Sequence, residues 1–133
     1  MTTPIHTDSG FLTLLSTFNY TGLQVNTVDN KFVSVKPKPN VIVVNLGDMF
    51  SRITGYTLKA TKHRVLDIGV DRYSSPFFLE PRYAARIPNS LMTTNDTTDG
   101  SAPEELVYGD WLIEKIRQFA EYTHFTKTKR AVE

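Results

Sequence analysis

A mainly β chain closed by one amphipathic helix is predicted from three features of the sequence. Short segments rich in Val, Leu, Ile, Phe and Thr recur through the first 88 residues, several of them alternating apolar and polar. Turn-forming Asp, Asn and Gly separate them. After Pro88 the chain becomes polar, and then a single stretch shows helical periodicity. Six or seven short strands followed by one helix point to a sandwich, jelly roll or barrel with the helix covering one face. A complete double-sheet jelly roll has about eight strands, so the chain is expected to lack one.

The elements follow in order. "FLTLL" at 11–15 is short, apolar and bounded by Gly10. "GLQVNTV" and "KFVSVKP" alternate, and "VDNK" between them is a turn. "VIVVNL" is a β-branched run that reads as a strand buried on both faces, closed by the turn signal "GD". "YTLKATKHRVLD" favours strand by its Thr and Val, with a break near Ala60 to Lys62. "DRYSSPFFLEP" is extended, and Pro76 suggests an edge or a bulge. "NSLMTTNDTTDGSAPEE" is a long polar loop. The helix has Asp110 as its N-cap and Leu112, Ile113, Ile116, Phe119 and Ala120 as its apolar stripe. The expected organisation is a β core over 1–88, a polar loop over 89–108, a packed helix over 109–124 and a tail over 125–133.

The composition excludes several classes of function. Among 133 residues, 15 basic and 14 acidic side chains give a net charge of +1. That balance gathers neither nucleic acid nor an anionic membrane. The absence of cysteine removes disulfides and thiolate metal sites. No apolar run approaches the roughly 20 residues that span a bilayer. A cytoplasmic chain is expected, with small molecules as its partners.

Two spacings carry chemistry. Residues two apart on a strand share a face, so His6 and Asp8 in "PIHTDSG" can converge on one point. A third metal ligand must come from His63 or His124, and His124 lies past the helix. His6, Asp8 and His63 would form a two-histidine, one-carboxylate set suited to Fe(II), although zinc accepts the same donors. Arg72 and Ser74 form the second pair. Arginine grips a carboxylate through two parallel hydrogen bonds, and a serine hydroxyl adds a donor. A dicarboxylic keto acid could chelate the metal at one end and meet Arg72 at the other. The plainer reading is an Arg72 paired with Asp71 or Asp67. Phe78, four residues beyond Ser74, is expected to face the same cavity.

At this point six ordered blocks, "HTDSGFLTLL", "GLQV", "VVNLGDMF", "KHRV", "DRYSSPFF" and "YGDWL", resemble a known family. They are similar to the C-terminal catalytic portion of 2-oxoglutarate- and Fe(II)-dependent dioxygenases of the isopenicillin N synthase-like branch. The resemblance implies a double-stranded β-helix (jelly roll), N-terminally incomplete here. It implies Fe(II) on His6, Asp8 and His63, with 2-oxoglutarate held by Arg72 and Ser74. It also implies oxidation of a small organic substrate by dioxygen, through hydroxylation, desaturation or ring closure, with release of succinate and CO2. Ascorbate is a candidate reductant, and Phe78 and Leu23 are candidate substrate contacts. The chain departs from the family pattern in lacking the usual N-terminal region, in its "SRITGY" block, and in carrying Ser9 where an aromatic residue is common. Two other readings remain. One is an Fe(II) oxidase of the same family that uses no 2-oxoglutarate. The other is a catalytically silent truncated β-domain that binds a ligand or partner.

Overall fold

Nine strands and two helices form among the described residues, which are 3–88 and 105–117 of the computed structural model. The strands are β1 (Thr3–His6), β2 (Leu12–Ser16), β3 (Leu23–Asn26), β4 (Phe32–Ser34), β5 (Val43–Leu46), β6 (His63–Val65), β7 (Ser75–Leu79), β8 (Arg86–Pro88) and β9 (Glu105–Val107). Helix α1 (Asp48–Ile53) follows β5, and α2 (Tyr108–Ile116) follows β9. Every pairing is antiparallel. One sheet has the order β1-β6-β3-β4, a second β5-β2-β7, and β8 pairs with β9 alone. No helix among the described residues is long and apolar enough to cross a membrane.

Strand β2 organises the second sheet. Thr13 pairs with Asn45 on one side and Phe78 on the other, while Leu14 pairs with Val44 and Phe77. Pleating sends these two rows to opposite faces. The Thr13 row lines a cavity that also receives residues of the first sheet. Pro76 lies on the edge strand β7, and the register runs through it without a bulge.

Helix α1 holds the segment between β1 and β2. Gly47 N donates to Phe11 O at 2.8 Å, Asp48 N to Asp8 O at 2.8 Å, and Met49 N to Ser9 O at 3.1 Å. The opening amides of a helix lack partners within it, and here the carbonyls beyond β1 supply them. The approach is close enough to require glycine: a Cβ on Gly47 would collide with the carbonyl oxygen of Gly10. Gly47→Ala is therefore expected to destabilise the protein by about 3 kcal/mol or more, read as a lowered urea midpoint at unchanged slope.

The helices and the β8–β9 hairpin share an apolar cluster of Met49, Ile53, Ile87 and Tyr108, with Phe11, Phe50, Trp111 and Leu112 packed around it. Tyr108 is 1% exposed, and its hydroxyl donates to Glu80 Oε2. Burial raises the phenol above its ordinary 10.0, and Glu80 raises it further by hydrogen bond and charge. The folded state thus holds this proton more tightly than the unfolded chain. The resulting stability is complete below about pH 10 and falls as pH rises beyond it. Phenolate absorbance should show Tyr108 ionising only with alkaline unfolding, and Tyr108→Phe should remove that part of the decline.

Several expectations are corrected. Helix α1 forms where only the turn "GD" was expected, so the C-terminal helix is one of two among the described residues. The "VIVVNL" segment is not buried on both faces: β5 is a sheet edge, and Val44 is 56% exposed. It pairs with β2 alone, so β-branched content marked a strand without marking its burial. Residues 105–107 of the expected loop form β9, because they pair with β8. Helix α2 begins at Tyr108 with Val107 as its N-cap, leaving Asp110 in the first turn. Its opening amides bond to the 83–85 loop instead, Tyr108 N to Ala85 O and Gly109 N to Tyr83 O. Phe119, Ala120, His124 and the expected tail lie outside the described residues.

Candidate metal centre

His6 ends β1, His63 opens β6, and the antiparallel register sets them opposite each other. Their ring centroids are 4.2 Å apart. The register shifts between Thr3 and His6, an irregularity of the kind that re-aims a side chain. Backbone carbonyls orient both rings. His6 Nδ1 donates to Pro4 O at 2.8 Å, and His63 Nδ1 donates to Thr61 O at 3.1 Å. A carbonyl can only accept, so each Nδ1 donates its N–H, and Nε2 is the nitrogen each ring turns toward Asp8.

Both Nε2 atoms face Asp8 Oδ1, at 3.6 Å from His6 and 3.5 Å from His63. The other carboxylate oxygen is engaged elsewhere. Asn45 Nδ2 donates to Oδ2 at 2.7 Å, and Thr13 Oγ1 donates to the same atom. Two imidazole Nε2 atoms therefore converge on one carboxylate oxygen. One ligand atom from each of His6, Asp8 and His63 lies within 4.8 Å of the others. No other such group of His, Asp and Glu occurs among the described residues. A divalent first-row metal satisfies all three ligand atoms at once, and the donor set suits Fe(II).

The strand-face rationale for the first pair is corrected. Asp8 lies beyond β1, in the segment held by α1. It meets His6 because α1 fixes its backbone and Thr13 and Asn45 hold its carboxylate, not because the two share a pleat. The second pair also lies outside a strand, since β7 begins at Ser75. Arg72 and Ser74 nonetheless line the same cavity as the triad, with Leu23 and Phe78, in a space of about 230 Å³.

Arg72 has none of the acidic partners of the plainer reading. Asp67 Oδ1 accepts from Gly69 N at 2.9 Å instead, and no ion pair to Arg72 is formed among the described residues. Its Nε is buried without a hydrogen-bond partner among the described residues. A buried guanidinium nitrogen left unpaired is costly, and a carboxylate relieves that cost. The arrangement therefore fits a dicarboxylate such as 2-oxoglutarate. Leu23 is buried against the cavity, whereas Phe78 is 53% exposed at its rim.

Sequence reasoning missed Thr13 and Asn45. The available signal was a polar residue inside each of two apolar runs, "FLTLL" and "VIVVNL". Larger clefts lie elsewhere among the described residues. One, of about 420 Å³, is lined by Asp48, Arg52, Trp111 and Lys115, and another, of about 470 Å³, by Phe18, Asn40 and Ile42. Neither contains the triad, so chemistry rather than size identifies the site.

Comparison with known proteins agrees with this geometry. Residues 1–81 match the profile of the 2OG-Fe(II) oxygenase superfamily. Gibberellin 2-beta-dioxygenase 8 of Arabidopsis thaliana is 40% identical over 83 residues, covering 62% of this chain and 24% of that protein. The 1-aminocyclopropane-1-carboxylate oxidase of Dictyostelium discoideum is 33% identical over 133 residues, covering 90% of this chain and 36% of that protein. The crystal structure of full-length Neurospora crassa T7H with alpha-KG and thymine superposes with a TM-score of 0.74 at 30% identity. That match covers 87% of this chain and 37% of the T7H chain. The chain thus spans from about a quarter to just over a third of the length of these relatives. The superposition also places its mainly β fold with a C-terminal helix on part of a dioxygenase β-helix.

Proposed function

The chain belongs to the 2OG-Fe(II) oxygenase superfamily, and on that premise we propose that it holds Fe(II) on His6, Asp8 and His63 and 2-oxoglutarate on Arg72 and Ser74. The protein then oxidises a C–H bond of a small organic substrate by hydroxylation, desaturation or ring closure, releasing succinate and CO2. The observation that carries this reading is the convergence of one ligand atom each from His6, Asp8 and His63 within 4.8 Å, in a cavity also lined by Arg72, whose buried Nε has no hydrogen-bond partner among the described residues.

Each residue has a task. His6 and His63 offer Nε2 because their Nδ1 protons are committed to Pro4 O and Thr61 O. Asp8 supplies the negative charge that favours a divalent cation over a proton. Arg72 orients the far carboxylate of the keto acid through its planar fork, with the Ser74 hydroxyl beside it. Leu23 walls the cavity, and Phe78 offers an apolar surface to substrate at the rim. When bound, iron together with keto acid and dioxygen supplies the oxidising power that no side chain has.

The test is succinate and CO2 release by the full-length protein given Fe(II), ascorbate and 2-oxoglutarate. Stoichiometric release is expected. Absence of turnover, together with no thermal stabilisation by Fe(II) or keto acid, would favour a silent binding domain, since a ligand specific for the folded state must raise stability. The similarity to an oxidase of Dictyostelium discoideum favours a second reading, an Fe(II) oxidase in which Arg72 meets the substrate's own carboxylate. Oxygen consumption in the absence of any keto acid separates the two.

A further inference from the structure

We propose that Thr13 and Asn45 are positioning residues that keep Asp8 Oδ2 engaged and present Oδ1 alone to the metal. The inference rests on the metal reading above and deepens it. Asp8 lies in no regular element, so no ladder of hydrogen bonds determines where its side chain points. Its backbone is tied to α1 by the bond from Asp48 N to Asp8 O. That leaves the carboxylate free to rotate unless something holds it.

The sheet supplies two donors for that purpose. Thr13 and Asn45 are direct cross-strand partners on β2 and β5, and both line the cavity. Both donate to the same oxygen, Asn45 Nδ2 at 2.7 Å, while Oδ1 is the atom facing the two imidazoles. Thr13 is only 4% exposed, so solvent cannot readily replace its hydroxyl. Hydrogen bonds to a carboxylate are charge-assisted and stronger than neutral ones. Two of them on one oxygen oppose both rotation and chelation of the metal by both oxygens. Asp8 then takes a single coordination position, which leaves room for a two-oxygen cosubstrate.

The experiment is calorimetric titration of the metal-free, full-length protein with Co(II) alone. Thr13→Val and Asn45→Leu should weaken Co(II) binding about 10–100-fold, the usual range for partners of metal ligands. Thr13→Ser should bind as the parent does, because it restores the hydroxyl. Thr13→Val loses a buried bond to a carboxylate and should melt several degrees lower without metal, so its Co(II) titration is run well below that melting point, where a merely structural role would leave the affinity of the folded protein unchanged. In an Asp8→Ala background, Thr13→Val should cause no further loss. Parental affinity in both Thr13→Val and Asn45→Leu overturns the inference, as does an equal loss when Asp8 is absent. If Thr13→Val fails to fold, Asn45→Leu and Thr13→Ser decide the matter by the same criteria. A parent protein that takes up no Co(II) instead overturns the metal reading, and this inference falls with it.

Discussion

His63→Ala is expected to abolish iron binding and reduce succinate release to background. The metal affinity should fall by more than the about 10–100-fold typical of changes one shell further out. His63 contributes one of the two imidazole nitrogens of the triad, and its Nε2 lies 3.5 Å from Asp8 Oδ1. Among the described residues no other His, Asp or Glu lies close enough to join the group. The fold should survive the change. Strand β6 is held on both sides by backbone pairing to β1 and β3, which needs no imidazole. The metal-free variant should therefore lose no more than about 1 kcal/mol. Iron titration and single-turnover product analysis provide the check, with urea unfolding of the metal-free protein as the control. Retention of both iron binding and turnover in His63→Ala would rule out the metal assignment.

The second large effect is expected at Arg72. Arg72→Leu should raise the KM for 2-oxoglutarate by about 30-fold to several-thousand-fold, matching the about 2–5 kcal/mol lost with one partner of a buried, hydrogen-bonded charge pair. Arg72→Lys should fall between the two, because it keeps the charge and loses the planar fork. Co(II) affinity should not change, since Arg72 is no part of the triad. The ligand-free Arg72→Leu protein should be at least as stable as the parent. Its Nε is buried without a hydrogen-bond partner among the described residues, so the side chain carries a desolvation cost at that atom that leucine does not. Initial-rate kinetics against 2-oxoglutarate, paired with thermal unfolding, tests both halves. An unchanged KM for 2-oxoglutarate in Arg72→Leu would exclude the residue as the keto-acid anchor.

The candidate site was more legible in the sequence than the reasons for it. His6, Asp8 and His63 were singled out by residue chemistry and spacing, and the fold brings their ligand atoms together. Arg72, Ser74, Leu23 and Phe78 likewise share one cavity with them. The rationale of two residues on one strand face was wrong for both pairs. Asp8 and Arg72 lie outside strands, and a period-two rule does not describe loops. Thr13 and Asn45 escaped notice because each looks like a lone polar residue in an apolar strand. Only the register between β2 and β5 makes them neighbours, 32 positions apart in sequence. Helix α1 was missed for a related reason. Its first amides are satisfied by carbonyls of a distant loop rather than by a side-chain cap, so it leaves no local signal.

By itself the sequence determined which ligand types the chain carries. Side-chain identity is local: two imidazoles, one carboxylate and an arginine–serine pair are the groups from which a metal site and an anion grip can be assembled. The apolar runs likewise determined that strands form. Tertiary structure alone decided the direction of each functional atom. The backbone carbonyls of Pro4 and Thr61 select the nitrogen that each histidine presents. Cross-strand donors select the oxygen that Asp8 presents. Those partners are brought together by sheet register and by the packing of α1 against the loop at Gly10, contacts between segments far apart in sequence that no local pattern encodes.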